Sequence, residues 1–248
     1  MKFIQLGNGG GLDPLSTNSS FLIEVSKNEY LLFDCGFNIM QRLIQLEKTT
    51  TDFHIKQIKH VFISHIHDDH VGNLETLMFW NYFKNNVTMT YYAANMEVIQ
   101  YLKLKITNRK LYSGGRTNPK VSITSSIVEL IDRGANIINN IYLFPLKETF
   151  HGETQSNGLV ISDLDNERSI VITGDTKASI TLEQEIASLT NDYLEDVIIY
   201  HDYSNWDCPS KNVHTCKSDF EAEYSEAFRD KVIKYHNNGK YKKEWQTW

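Results

Sequence analysis

The sequence predicts an α/β protein in which two mixed β-sheets pack on each other with helices outside. Three observations lead there. Short apolar or alternating runs interleave with segments of helical period along the chain. Several of the strand-like runs adjoin through short turns, so the sheets are mixed and a single doubly wound sheet fits less well. No linker, repeat or low-complexity tract divides the 248 residues, and residues 1–248 are expected to form a single domain.

The elements follow in order. "KFIQLG" (2–7), "SSFLIEVS" (19–26) and "YLLFDCG" (30–36), bounded by Gly, Asn and Asp, read as strands. "NIMQRLIQLEK" (38–48) places Ile39, Met40, Leu43, Ile44 and Leu46 at helical spacing. "IKHVFISH" (58–65) is a buried strand, and "VGNLETLMFWNYFK" (71–84) a helix. "VTMTYYA" (87–93) reads as a strand and "NMEVIQYLKLKI" (95–106) as a helix. "NIYLFPLKE" (140–148), "NGLVISDLD" (157–165) and "RSIVITGD" (168–175) are strands, followed by the helix "SITLEQEIASL" (179–189). "DVIIYHD" (196–202) is a buried strand, "SDFEAEYSEAFRDKV" (218–232) one polar surface helix, and "IKYHNN" (233–238) a last short strand.

Composition narrows the function classes. With 41% hydrophobic and 23% charged residues the chain is an ordinary globular one. A net charge of −6 argues against non-specific nucleic-acid binding, which rewards basic surfaces. No apolar run approaches the ~20 residues of a membrane span. "MKFIQLGNGGG" lacks a secretory apolar region, so a cytoplasmic protein is expected. Cys35, Cys208 and Cys216 are odd in number and form no CxxC pair, which fits reduced thiols.

The chemistry concentrates in "HIHDDH", residues 65–70, delivered at the end of a buried strand. In extended backbone His65, His67 and Asp69 fall on one side and His70 on the other, so one loop can serve two metals. Imidazole and carboxylate donors suit Zn²⁺, with Mn²⁺ or Fe as competitors. There is no HExxH helix. His54 and His60 precede the motif without ligand partners nearby in sequence and read as structural.

H-x-H-x-D-H after an apolar strand resembles the metallo-β-lactamase superfamily, whose αβ/βα sandwich usually holds two metals. "GNGGGLDPLSTNSS" followed by "YLLFDCG" resembles the opening of the tRNase Z branch. "ETFHGETQSNGLVI" resembles the third motif and "VITGDT" the fourth, which implies ligand roles for His151 and a bridging role for Asp175. "VIIYHDYSN" resembles the branch's H-E-A-T strand with Asp202 in the Glu position, "NVHTC" its H-S-T with His214, and "IKYHNNGKY" its T-H-F-S-x-R-Y with His236. The resemblance implies one metal at His65, His67, His151 and Asp175, and another at Asp69, His70, Asp175 and His236. His201 competes with His236 for the last place.

Such a site implies hydrolysis of a phosphodiester, with His214 donating a proton, Asp202 orienting it and Asp69 accepting one from water. Many tRNase Z proteins carry a long arm between the third and fourth motifs, whereas here "GETQSNGLVISDLDNERSIVITG" leaves room for one hairpin. The chain also resembles the compact phage anti-Pycsar proteins of this branch, which implies cleavage of 3′,5′-cyclic mononucleotides, a homodimer, and action in the host cytoplasm. Against this stand a tRNA 3′-processing enzyme and a non-catalytic metal- or nucleotide-binding protein. A flavodiiron oxidoreductase and a β-lactamase fit less well, for want of the Glu and flavin domain of the first and the signal peptide of the second. Residues 101–120 carry Lys103, Lys105, Arg109, Lys110, Arg116 and Lys120 around Gly114-Gly115. The stretch reads either as a solvated helix end and loop, or as a lid or dimer arm. In the second reading Tyr112 stacks on a base and Arg116 is among the basic residues presented to the nucleotide.

Overall fold

A computed structural model describes residues 1–11, 13, 15–106, 109–111, 121–123, 125–130, 136–147, 149–163, 165–190, 196–205, 213–237 and 244–247. The strand-like runs of the N-terminal half, joined at one edge by 246–247, pair into a seven-stranded sheet, ordered 246–247, 2–7, 20–26, 29–33, 58–62, 90–93, 126–129. Those of the C-terminal half form a six-stranded sheet, ordered 232–235, 197–202, 168–172, 159–163, 141–145, 137–138. Both sheets are mixed. Strand 20–26 runs antiparallel to its neighbours while 29–33, 58–62 and 90–93 are parallel. Likewise 159–163 and 168–172 form an antiparallel hairpin, and 197–202 lies parallel beside it.

Alternation along the strands sorts side chains into three apolar layers. Phe3, Phe21, Ile23, Leu31 and Phe33 of one sheet meet Leu143, Leu159, Ile161, Ile170 and Tyr200 of the other. Phe21 crosses between the sheets to Tyr200 and Tyr235, with ring centroids 4.6 and 5.4 Å away. At about 1.5–3 kcal/mol for each large apolar side chain buried, this layer is the main attraction between the sheets. Outside the first sheet, Ile4, Leu32 and Val61 receive Ile39, Leu43 and Leu46 of helix Ile39–Thr49, and Val98 and Leu102 of helix Met96–Lys105. Outside the second, Val160, Val171 and Ile199 receive Leu182 and Ile186 of helix Ile180–Leu189, with Phe220 and Phe228. This is the αβ/βα sandwich that the sequence predicts.

Local capping explains several boundaries. Asn95 accepts from the Val98 amide at 2.9 Å and starts one helix, and Ser179 accepts from the Leu182 amide at 3.1 Å and starts another. The helix expected over 218–232 is broken. Lys217–Glu223 ends at an extended Tyr224, and Glu226–Arg229 restarts where Ser225 Oγ accepts from the Phe228 amide at 3.2 Å. Tyr224 turns inward instead, its hydroxyl 2.6 Å from Nε2 of the buried His201. The run 71–84 likewise divides, into Leu74–Phe79 and a π-helical turn Trp80–Lys84. Strands 126–129, 137–138 and 246–247 and the hairpin 150–151/154–155 are too short to show a period in sequence. Residues 109–111 and 121–123 pair as a two-stranded hairpin; Tyr112 and Arg116 lie outside the described residues.

Cys35 is a free, buried thiol, but Cys216 is disulfide-bonded, which corrects the expectation of reduced thiols there. Cys208 lies outside the described residues. Among the described residues no helix is long and apolar enough to cross a membrane. Strands 29–33, 58–62, 168–172, 197–202 and 232–235 all end at one edge of the sandwich. Asp34, residues 63–70, residues 173–175, Asp202 and His236 sit at those ends.

Candidate metal centre

The chain is extended as far as His67 (φ −64, ψ 148) and then turns into a helix at Asp68–Val71. The extended alternation expected over 65–70 therefore stops short. His65 and His67 face one group of donors, while the helical turn carries Asp69 to the side of His70. Two clusters result. His65, His67 and His151 form one, and Asp69, His70, Asp175 and His236 the other, with the potential ligand atoms of each lying within 4.8 Å of one another.

Asp175 joins them. It follows Gly174, whose φ of 66 allows the tight turn after strand 168–172. Its Oδ2 stands 3.8 Å from His65 Nε2 and 4.0 Å from His151 Nε2 on one side, and 3.4 Å from His70 Nε2 on the other. Its Oδ1 is 3.6 Å from His236 Nε2. His70 and His236 Nε2 each lie 3.4 Å from Asp69 Oδ2, and His65 Nε2 lies 3.0 Å from His67 Nδ1. Tetrahedral bonds of about 2.0–2.1 Å to zinc place ligand atoms about 3.3 Å apart, so these separations suit divalent cations. The buried His70 Nε2 and Asp175 Oδ1 have no hydrogen-bond partner, as atoms reserved for a metal would not. Each cluster could hold a divalent cation, and Asp175 lies within 4.0 Å of donors in both.

Charge in the pocket agrees. Burial disfavours charge on every group, yet the carboxylates of Asp175, Asp34 and Asp69 hold His70 protonated well above its ordinary range. His236 is opposed by burial but lifted by Asp175, Asp202 and Asp69 to about 10. Asp175 resists its own burial through His236 and His70 and stays ionised far below the usual carboxylate range. His65, despite Asp175 at 3.8 Å, is pushed well down by burial and by His70. The acidic field attracts cations, and a ligating imidazole must release its proton to one.

Asp34 anchors the donors from beneath. Buried and at a φ of 59, it accepts from the Ser64 amide at 2.8 Å, from Ser64 Oγ at 2.7 Å and from His70 Nδ1 at 2.8 Å. Ser64 Oγ lies in turn 3.1 Å from His65 Nδ1. A carboxylate only accepts, so a His70 that gives up one proton to a cation keeps the other on Nδ1, facing Asp34, and turns its Nε2 lone pair to the site. Gly36 lets this loop press on the motif, since a Cβ there would stand 1.7 Å from the Asp69 carbonyl oxygen. Sequence reading saw the "FDCG" strand end but gave Asp34 no role.

Asp202 and His214 flank the second cluster. Asp202 Oδ2 accepts from the Thr176 amide at 2.8 Å and from His214 Nδ1 at 2.8 Å, and its Oδ1 lies 3.4 Å from His236 Nδ1. His214 is about a quarter exposed, and Asp202 lifts it above the ordinary imidazole value against burial. Its Nδ1 is 3.9 Å from Asp175, close enough for these four residues to form a third possible donor group. His201 is not in the site: its Nδ1 donates to the Asp202 carbonyl at 2.7 Å and Nε2 faces Tyr224. His54 lies beside Glu47, and His60 sits between Glu29 (2.6 Å) and Tyr92 (3.0 Å), both as structural residues.

Comparison with known proteins gives a consistent picture. The family model described as anti-Pycsar protein Apyc1 matches residues 1–247. The anti-Pycsar protein Apyc1 of Bacillus phage 010DV004 is 31% identical over 83 residues, covering 34% of this chain and 30% of that protein. The match thus spans under a third of that relative's length. Among solved structures, the metallo-β-lactamase fold protein YhfI of Bacillus subtilis superposes with a TM-score of 0.69 at 18% identity, covering 95% of this chain and 86% of its own. Human tRNase Z, short form, superposes at 0.63 and 16% identity, covering 100% and 99%. At these identities the likeness establishes the metallo-β-lactamase fold.

Proposed function

The chain belongs to the anti-Pycsar protein Apyc1 family, and from that membership we propose a metal-dependent phosphodiesterase that opens 3′,5′-cyclic mononucleotides to nucleoside monophosphates. The observation that carries the proposal is the joint placement of two donor clusters, with Asp175 Oδ2 within 4.0 Å of histidines in both, and of a His214–Asp202 pair 2.8 Å long at their edge.

Two divalent ions, zinc by donor chemistry with manganese as competitor, would be held by His65, His67, His151 and Asp175, and by Asp69, His70, Asp175 and His236. When bound, they would supply Lewis acidity and an activated water. The chain's own residues do the rest. Asp69 accepts a proton from the attacking water. The oxygen of water forms a bond to phosphorus, the bond to the ring's leaving oxygen breaks, and that oxygen takes a proton from His214. Asp202 holds His214 Nδ1, so the transferred proton leaves from Nε2.

Substrate size supports a cyclic nucleotide over tRNA. Between His151 and Asp175 the chain forms the direct hairpin 159–163/168–172 in place of a long gripping arm, and the net charge of −6 does not favour a long polyanion. The basic stretch 101–120, with Tyr112 and Arg116, is proposed to contact the nucleotide. Turnover of cyclic CMP, UMP, AMP and GMP should be compared with a 3′-extended pre-tRNA. Cleavage of all four cyclic nucleotides is expected; accurate trimming of the tRNA with negligible cyclic-nucleotide turnover would reverse the assignment to a tRNA-processing enzyme. No turnover of either by metal-loaded protein would favour a non-catalytic binding role.

A further inference from the structure

His236 occupies a backbone conformation that is uncommon for any non-glycine residue. Its φ is 62, and a non-glycine residue stays in the left-handed region only where its surroundings over-determine it. The surrounding group is Asn8, buried at 3% exposure just beyond strand Lys2–Gly7. Asn8 Oδ1 accepts from the His236 backbone amide at 2.9 Å and from Gln5 Nε2 at 3.1 Å. Its Nδ2 donates to Asn237 Oδ1 at 2.8 Å, and the Asn237 carbonyl accepts from Asn205 Nδ2 at 2.8 Å. Two residues further along the same loop, Gly10 passes over the ring: a Cβ there would stand 3.2 Å from His236 Cε1 and 3.3 Å from Nε2.

We propose that Asn8 is a positioning residue for His236: its side-chain amide sets the left-handed backbone that aims Nε2 at Asp69 and Asp175, and so controls occupancy of the second metal position alone. The inference rests on assigning a metal to Asp69, His70, Asp175 and His236. The first position depends on other supports. His65 hangs on Ser64 and Asp34, and His151 is carried by the hairpin 150–151/154–155. A residue that merely stabilised the fold would weaken both positions together.

The test measures zinc bound per chain of the full protein against buffered free zinc, for wild type, Asn8→Ala, Asn8→Asp and His236→Ala. His236→Ala should hold one equivalent. Asn8→Ala should bind the first equivalent as wild type does and the second about 10- to 100-fold more weakly, the usual effect of removing a group that orients a ligand. Asn8→Asp keeps the accepting oxygen, and Asn237 can turn its own amide to donate, so the second equivalent should return. Wild-type binding by Asn8→Ala, or an Asn8→Asp no better than Asn8→Ala, would overturn the role of Asn8. Two equivalents in His236→Ala would instead overturn the metal assignment beneath it. Should Asn8→Ala not fold, Asn8→Asp must still hold both metals and Asn237→Ala must weaken the second alone; equal loss of both metals in either variant overturns the proposal.

Discussion

Replacing His214 by Ala deletes an imidazole whose Nδ1 stands 2.8 Å from Asp202 but 3.9 Å from Asp175. The change should therefore strike proton delivery and leave the metal donors in place. General-acid assistance is worth roughly 10²–10⁴-fold, or about 2.7–5.4 kcal/mol of barrier. A ribose alkoxide needs nearly all of that help, whereas p-nitrophenolate leaves with little. Turnover of a cyclic nucleotide by His214→Ala should fall by roughly 10²–10⁴-fold, and turnover of bis(p-nitrophenyl) phosphate by less than about tenfold. The pH profile supplies a second readout. Asp202 raises His214 above its ordinary value against burial, so the acid form is populated below that raised pKa and kcat falls as pH climbs through it. Asp202→Asn should then move the alkaline limb to lower pH. An equal loss on both substrates would refute the proton-donor role, and loss of bound metal from His214→Ala would make His214 a ligand.

Other perturbations separate the parts of the site. Asp175→Ala should deplete both metals, because the carboxylate touches donors of both clusters; elemental analysis that finds both retained would remove the bridging role. Asp34→Ala should weaken metal binding by about 10- to 100-fold without removing a ligand, measured by competition with a chelator. Gly36→Ala should destabilise the protein by about 1–3 kcal/mol in urea unfolding, since its Cβ would meet the Asp69 carbonyl oxygen. Acid should release metal: His70 and His236 have raised pKa values, so a cation must displace more protons as pH falls, and affinity measured between pH 8 and 6 should decrease.

The chemistry of the centre was legible in the chain because metal ligands must be particular residue types, and local backbone must bring several together. "HIHDDH" at the end of an apolar strand, and the corner before Asp175, carry that information within a few residues. Period-2 runs carried the strands for the same reason: each side chain answers only to the face it lies on. The resemblance supplied His151, Asp175, Asp202, His214 and His236 as partners.

Tertiary structure decided what no short window encodes. Asp69 joins His70 because the backbone turns helical at Asp68, a choice made by packing against the 34–36 loop, where the Cys35 amide donates to the His70 carbonyl at 2.7 Å. Asp34 and His236 both hold a left-handed φ, which residue type alone does not announce. Asn8 meets His236 across 228 positions of sequence, and "SDFEAEYSEAFRDKV" breaks in two because Tyr224 finds His201 inside. In each case a long-range contact outweighs a local preference of about 1–3 kcal/mol, a balance that only the folded chain settles.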